Sequence, residues 1–138
     1  MKRHAALLTL SREHHTALVL ALACSRAAGS GSTETMLAAS ERVAQQFDAE
    51  LEPHFRREEQ TLLPLLQQAG LDALVRRTLS EHAHLRALAR SLCARDTACL
   101  AEFAQALSGH VRFEEQELFP AAEQAVPEQQ LMAALGAD

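Results

Sequence analysis

The residues 54–64, HFRREEQTLLP, return as residues 110–120, HVRFEEQELFP, without a gap. His54, Arg56, Glu58, Glu59, Gln60, Leu62 and Pro64 recur as His110, Arg112, Glu114, Glu115, Gln116, Leu118 and Pro120. A fainter echo joins Glu13-His14 to Glu81-His82, with Leu20-Ala21 matched by Leu88-Ala89 at the same offset. A repeat of this kind implies one structural unit used twice: two helical hairpins related by an approximate two-fold axis. The chain of 138 residues has room for one domain, 1–138, with one core.

Helix is the element the composition favours. Alanine and leucine dominate the 48% of apolar residues, β-branched residues are few, and Tyr and Trp are absent. Clear breakers divide four apolar-periodic stretches. The first runs from about Leu7 to Ala27 and ends at the flexible turn Gly29-Ser30-Gly31-Ser32. The second runs from Thr33 to Ala69 and stops at Gly70, with bends expected at Pro53 and Pro64. The third runs from Asp72, a good N-cap, to Ala94, and the fourth from Asp96 or Thr97 to Ala125. A short last helix after Pro127 would carry Leu131, Met132 and Leu135 inward. Long helices with short links make antiparallel neighbours. The fold class expected is therefore all-α, an up-down-up-down four-helix bundle.

Each helix presents one inward stripe at three- and four-residue steps. The second gives Phe47, Leu51, His54, Glu58, Leu62 and Leu65; the fourth gives Phe103, Leu107, His110, Glu114, Leu118 and Ala121. The third gives Val75, Leu79, His82, Arg86 and Ala89, and the first Leu7, Leu10, His14, Leu18 and Ala21. Histidines and glutamates thus replace apolar residues in mid-stripe. His82 and His110 both lie roughly 18–20 Å from the turn between their helices, at about 1.5 Å per residue. Helix 2 and His82 agree likewise about the turn at Gly70. The first hairpin fits less well, because its second helix begins some eight residues early; either residues 29–40 are partly loop, or helix 2 overhangs.

Four imidazoles and two carboxylates in one core layer must be compensated for lost water. Two buried carboxylates repel unless cations separate them, and Arg86 is the only basic residue on these stripes. A pair of metal ions meets that need: imidazole nitrogens bind divalent transition metals, and glutamates one turn on can bridge two ions. Candidate ligands are His14, His54, Glu58, His82, His110 and Glu114. His15 would face inward if the first helix rotates slightly, and the Glu13-His14 match to Glu81-His82 favours His14. Glu59, Glu115, Arg56 and Arg112 read as solvated faces, and His4 and His84 as surface residues.

The stretches SREHHTAL, HFRREEQTLLP, SEHAHLRAL and HVRFEEQELFP resemble the hemerythrin-like (HHE cation-binding) domain over nearly the whole chain. The resemblance implies a non-haem di-iron centre, two iron ions with an oxo- or hydroxo-bridge. It implies that His14 and His54 bind one iron and His82 and His110 the other, with Glu58 and Glu114 bridging. Two departures stand out. Hemerythrin itself has a second histidine one turn after the third-helix ligand, where this chain has Arg86, and an aspartate five residues after the last histidine, where this chain has Glu114 at four. The first leaves one iron a protein ligand short, to be filled by water or an exogenous molecule, which argues against stable, reversible oxygen carriage. Ferritin-like di-iron proteins match less well, for their E-x-x-H pairs are missing.

Three functions share such a site: binding or sensing O2, peroxide or nitric oxide; peroxidase or oxidase catalysis; and iron storage or delivery to damaged iron centres. A sensor would act through a protein partner. The net charge of −5 carries no basic stripe, which argues against nucleic acid. No segment has the length to span a membrane, and no secretory leader is evident. Cys24, Cys93 and Cys99 read as reduced, packed thiols, so a cytoplasmic location is expected.

Overall fold

The computed structural model describes residues 3–136. Helix α1 spans Leu8–Ala28, after a 3₁₀ turn at Ala5–Leu7. Helix α2 covers 33–68, α3 Asp72–Cys93, α4 100–125 and the short α5 Glu128–Leu135. No strand occurs among the described residues. α1 packs against α2 and α4, and α3 against the same two, so the four long helices form an antiparallel square. The bundle expected from the repeat is the one observed. α5 folds back on the N-terminal 3₁₀ turn, burying Leu131 and Leu135, while Met132 is half-buried beside them.

The helix ends follow from local chemistry. Ser32 caps α2, its hydroxyl accepting the Thr35 N–H at 3.2 Å. α2 therefore starts at Thr33, and it overhangs. Measured from the histidine layer, its first turn lies about 10 Å beyond the end of α1, a rise that four linker residues can span. Gly70, at φ +84°, closes α2 with the Leu71 N–H on the Leu66 carbonyl and its own N–H on Gln67. The same motif ends α3, but there the left-handed position is Arg95, at φ +66°. Asp72 is not the N-cap of α3; Leu71 holds that place and Asp72 is the first helical residue.

Pro53, Pro64 and Pro120 do not break their helices. Each follows a wider π-helical turn: Phe47–Leu51, Glu58–Leu62 and Glu114–Leu118. The N–H groups of Glu52, Leu63 and Phe119 reach the carbonyls of Phe47, Glu58 and Glu114, five residues back. A proline lacks an N–H and its ring presses on the preceding turn, and the wider turn accommodates both. The extra residue also resets the stripe. His54, Glu58, Leu62 and Leu66 keep one face, as do His110, Glu114, Leu118 and Ala122, whereas Leu65 and Ala121 turn partly outward.

Two further stripe positions differ from expectation. Leu18 and Leu79 are 43% and 44% exposed, and Ala17 and Thr78 hold the inward places. The apolar core is two separate clusters. One, around Leu20, Phe47, Phe55, Phe103 and Leu107, lies toward the α1–α2 and α3–α4 turns. The other, around Leu7, Leu62, Leu66, Phe119 and Leu131, lies toward the α2–α3 turn and α5. A polar layer separates them. Of the three thiols only Cys24 is buried; Cys93 is exposed and Cys99 half-buried, so the expectation of three packed thiols fails for two.

A left-handed non-glycine residue costs roughly 1–2 kcal/mol. The distant, exposed Arg95–Glu41 pair, at 3.9 Å, offsets little of that. Arg95→Gly should therefore stabilise the protein by about 1 kcal/mol. Urea denaturation with an unchanged slope is the measurement.

Candidate metal centre

The polar layer between the clusters contains His14 from α1, His54 and Glu58 from α2, His82 from α3, and His110 and Glu114 from α4. All six are buried, and Glu58 and Glu114 have no exposed surface at all. His15 is exposed, so the choice left open in the first helix falls on His14. The repeat explains the placement: each H-x-x-x-E unit sets an imidazole and a carboxylate on successive turns of one face, and the π-turn starting at each glutamate holds that face inward.

The hydrogen bonds obey the two-fold. His14 Nε2 meets Glu114 Oε1 at 2.7 Å, and its mate His82 Nε2 meets Glu58 Oε1 at 3.0 Å. On their outer nitrogens, His14 Nδ1 donates to Glu115 at 2.6 Å and His82 Nδ1 to Glu59 at 2.7 Å. His54 Nδ1 donates to Glu13 and His110 Nδ1 to Glu81, each at 2.7 Å. Every inward histidine is thus clamped from behind by a carboxylate, which fixes a proton on Nδ1 and turns Nε2 toward the centre.

Glu59 and Glu115 are therefore not simply solvated faces, as the sequence suggested. Their place beside the histidines was encoded all the same, since both repeats read Glu-Glu and both echoes read Glu-His. Arg56 and Arg112 are exposed as expected, and His84 forms a surface pair with Glu102 at 3.2 Å. His4 is half-buried rather than on the surface, its backbone N–H donating to Glu123 at 2.6 Å.

Two sets of four ligand atoms lie within 4.8 Å of one another: His14, His54, Glu58 and Glu114, and Glu58, His82, His110 and Glu114. The glutamates belong to both sets. His54 Nε2, Glu58 Oε2, His110 Nε2 and Glu114 Oε2 are buried without a hydrogen-bond partner. His110 Nε2 and Glu114 Oε2 are only 3.0 Å apart, yet they do not align for a hydrogen bond. Such groups are costly to leave unmatched, and a cation between them would accept every lone pair at once. The donor set of imidazole and carboxylate suits divalent first-row metals.

A hemerythrin HHE cation-binding domain model matches residues 6–122. The chain belongs to this family. Neither the comparison with curated proteins nor that with solved structures finds a match. The cation-binding domain named by the family thus coincides with a buried His/Glu layer that can hold metal.

Arg86, at the departure from hemerythrin, turns away from the layer. Its guanidinium donates to Glu52 at 2.8 and 2.9 Å and to Glu59 at 2.8 and 3.1 Å. The Phe55 ring stacks on His82 with centroids 4.0 Å apart. A cavity of about 280 Å3 reaches the layer between α1 and α2, with His14, His54 and His110 in its wall.

Without metal, protons take up the charge. Burial works to lower the His110 pKa, but the Glu114 charge and the Glu81 hydrogen bond outweigh it and lift the group to about 10. His14, His54 and His82 are likewise raised by their carboxylates against the opposing effect of burial. Glu115 is held down to about 2 because hydrogen bonds from His14 and Ser11 overcome its burial.

A raised histidine pKa gives stability that is full below the ordinary 6.5 and lost as pH climbs to about 10. A depressed carboxylate gives stability that is full above the ordinary 4.5 and lost as pH falls toward about 2. The metal-free protein should therefore be most stable between these limits and weaken steadily above pH 6.5. Chelator-treated protein melted across pH 4–10 by circular dichroism checks this. A stability maximum above pH 8 would contradict the hydrogen-bond assignment.

Proposed function

We propose that the layer holds two iron ions, His14 and His54 on one, His82 and His110 on the other, with Glu58 and Glu114 bridging. The protein uses this pair to bind or sense O2, peroxide or nitric oxide. The observation that supports the reading is the set of inward, partnerless Nε2 and Oε2 atoms, shared between two overlapping tetrads. Bound iron would supply a redox-active centre with room for a small exogenous ligand. The chain's own contribution is positional. Glu13, Glu59, Glu81 and Glu115 fix the tautomer and angle of each imidazole, and the apolar clusters above and below keep bulk water from the layer. A peroxidase or oxidase is the second reading, favoured by the cavity against His14 and His54.

Purified protein grown with ample iron should contain close to two irons per chain by elemental analysis. One metal per chain, or zinc as the sole occupant, would count against the reading. Glu58→Ala and Glu114→Ala should each weaken both positions, because a bridging carboxylate touches two ions, whereas His14→Ala should mainly affect one. Iron titration of each variant separates the cases.

Metal that binds only the folded state adds about 2.7 kcal/mol at a free concentration of 100 times its dissociation constant. That corresponds to several degrees of melting temperature in a chain of this size. Chelator-treated protein should stay helical and melt earlier than the loaded form. Superimposed melting curves, with metal loss confirmed, would mean that the layer is not a metal site.

A further inference from the structure

The two-fold that relates the hairpins is broken beside the metal layer, and the break makes a binding cavity. The offset that carries His14 to His82 also carries Ala17 to Leu85, and the offset from His54 to His110 carries Ala49 to Gln105, Pro53 to Gly109 and Phe55 to Val111. Between α1 and α2, Ala17 stands in the wall of the cavity of about 280 Å3, with Leu20, Leu51, Leu107 and Val111 around it. Between α3 and α4, the corresponding Leu85 is fully buried and takes no part in the groove outside it. That groove is more open and carries charged groups, Arg77, Glu81, His84 and Glu102, beside His110, with the His84–Glu102 pair along it. An alanine thus stands beside the cavity where the other hairpin has a buried leucine, and His14, His54 and His110 share the cavity wall.

We propose that this cavity receives an uncharged, largely apolar organic molecule carrying an alcohol or hydroperoxide oxygen, which it lays against the His14/His54 face of the layer. The molecule's role as ligand or substrate rests on the metal-pair reading; its binding does not. Size excludes a diatomic as the sole occupant. A dry apolar cavity of about 150 Å3 holds one benzene, so this one has room for about ten non-hydrogen atoms. Charge is selected by the rim. Glu13 and Glu50 line it and disfavour an anion, and both already have partners, Glu13 in His54 and Glu50 in Gln46, which disfavours a cation. Glu13 links the two features, since the carboxylate that clamps His54 is also 44% exposed in the cavity wall.

The probe is 2-phenyl-2-propanol, an uncharged and redox-inert alcohol of the stated size, titrated calorimetrically into the full chain loaded with iron. Metal content is measured on the same sample. One molecule should bind per chain with a dissociation constant below about 1 mM. Ala17→Leu, which copies the residue of the other hairpin, should weaken binding at least tenfold at unchanged metal content. Ala49→Phe, at an exposed position on the rim, should do the same without touching the core, and so covers the case in which Ala17→Leu folds poorly. No saturable binding to a sample holding two metals per chain would overturn the inference and leave the metal reading intact. Wild-type affinity in both variants would overturn it too. Saturable binding lost in both variants, but to a chain that takes up no metal, would support the cavity and sink the metal reading.

Discussion

Two glutamates without exposed surface, Glu58 and Glu114, face each other in one layer of a small core, and everything nearby is arranged around that fact. A buried carboxylate is tolerated only when its charge is matched and its lone pairs are occupied. Here the match comes from a ring of imidazoles, one per helix, each held by a further carboxylate on its outer nitrogen. The outer ring is anchored in turn: Arg3 pairs with Glu115 at 3.0 Å, Arg86 with Glu59 at 2.8 Å and Arg77 with Glu81 at 2.9 Å. Charge alternates outward from the centre. The apolar clusters on either side then serve as two lids on one polar layer rather than as a single core with polar intrusions.

The six inward residues and the order of the helices were legible because two independent periodicities agreed. A helical stripe says which face is buried, and the 54–64/110–120 repeat says that His and Glu occupy it twice. The outer carboxylates were passed over because Glu59 and Glu115 sit one residue off the stripe, where a side chain on an ideal helix points along the surface. A glutamate there is long enough to turn back to the neighbouring helix and find an Nδ1 proton. The drift from Leu65 to Leu66, and from Ala121 to Ala122, was hidden for another reason. The prolines marked where the helices were disturbed, but not that the disturbance adds a residue to a turn. Arg95 in a left-handed position left no trace in the sequence, since glycine is the residue that normally announces such an end.

Approximate symmetry explains both what the two halves share and where they part. The ligating geometry needs the repeat, so His14 and His82, His54 and His110, and Glu58 and Glu114 are true mates. The surroundings are under no such demand. Arg86 corresponds to Leu18, Leu85 to Ala17 and Phe55 to Val111, so His82 is covered by a stacked ring and an arginine clamp while His14, His54 and His110 border a cavity. The mates therefore share one geometry and still differ in what reaches them. A site built from duplicated ligands acquires a front and a back through substitutions one turn away from the ligands.

The same charge balance links the metal-free and the metal-loaded forms. Around the layer stand six carboxylates, Glu13, Glu58, Glu59, Glu81, Glu114 and Glu115, against Arg3, Arg77 and Arg86. Carboxylates outnumber arginines, and the raised pKa values of His14, His54, His82 and His110 place compensating positive charge among them as protons. Two divalent ions bring as much positive charge as four imidazolium protons. A metal held at these Nε2 atoms would take the place of their protons, while the Nδ1 protons stay with their outer carboxylates. A layer whose carboxylates already face protonated imidazoles can be assembled by the folding chain without metal. The strong hold on those protons is also what makes acid compete with metal at this site.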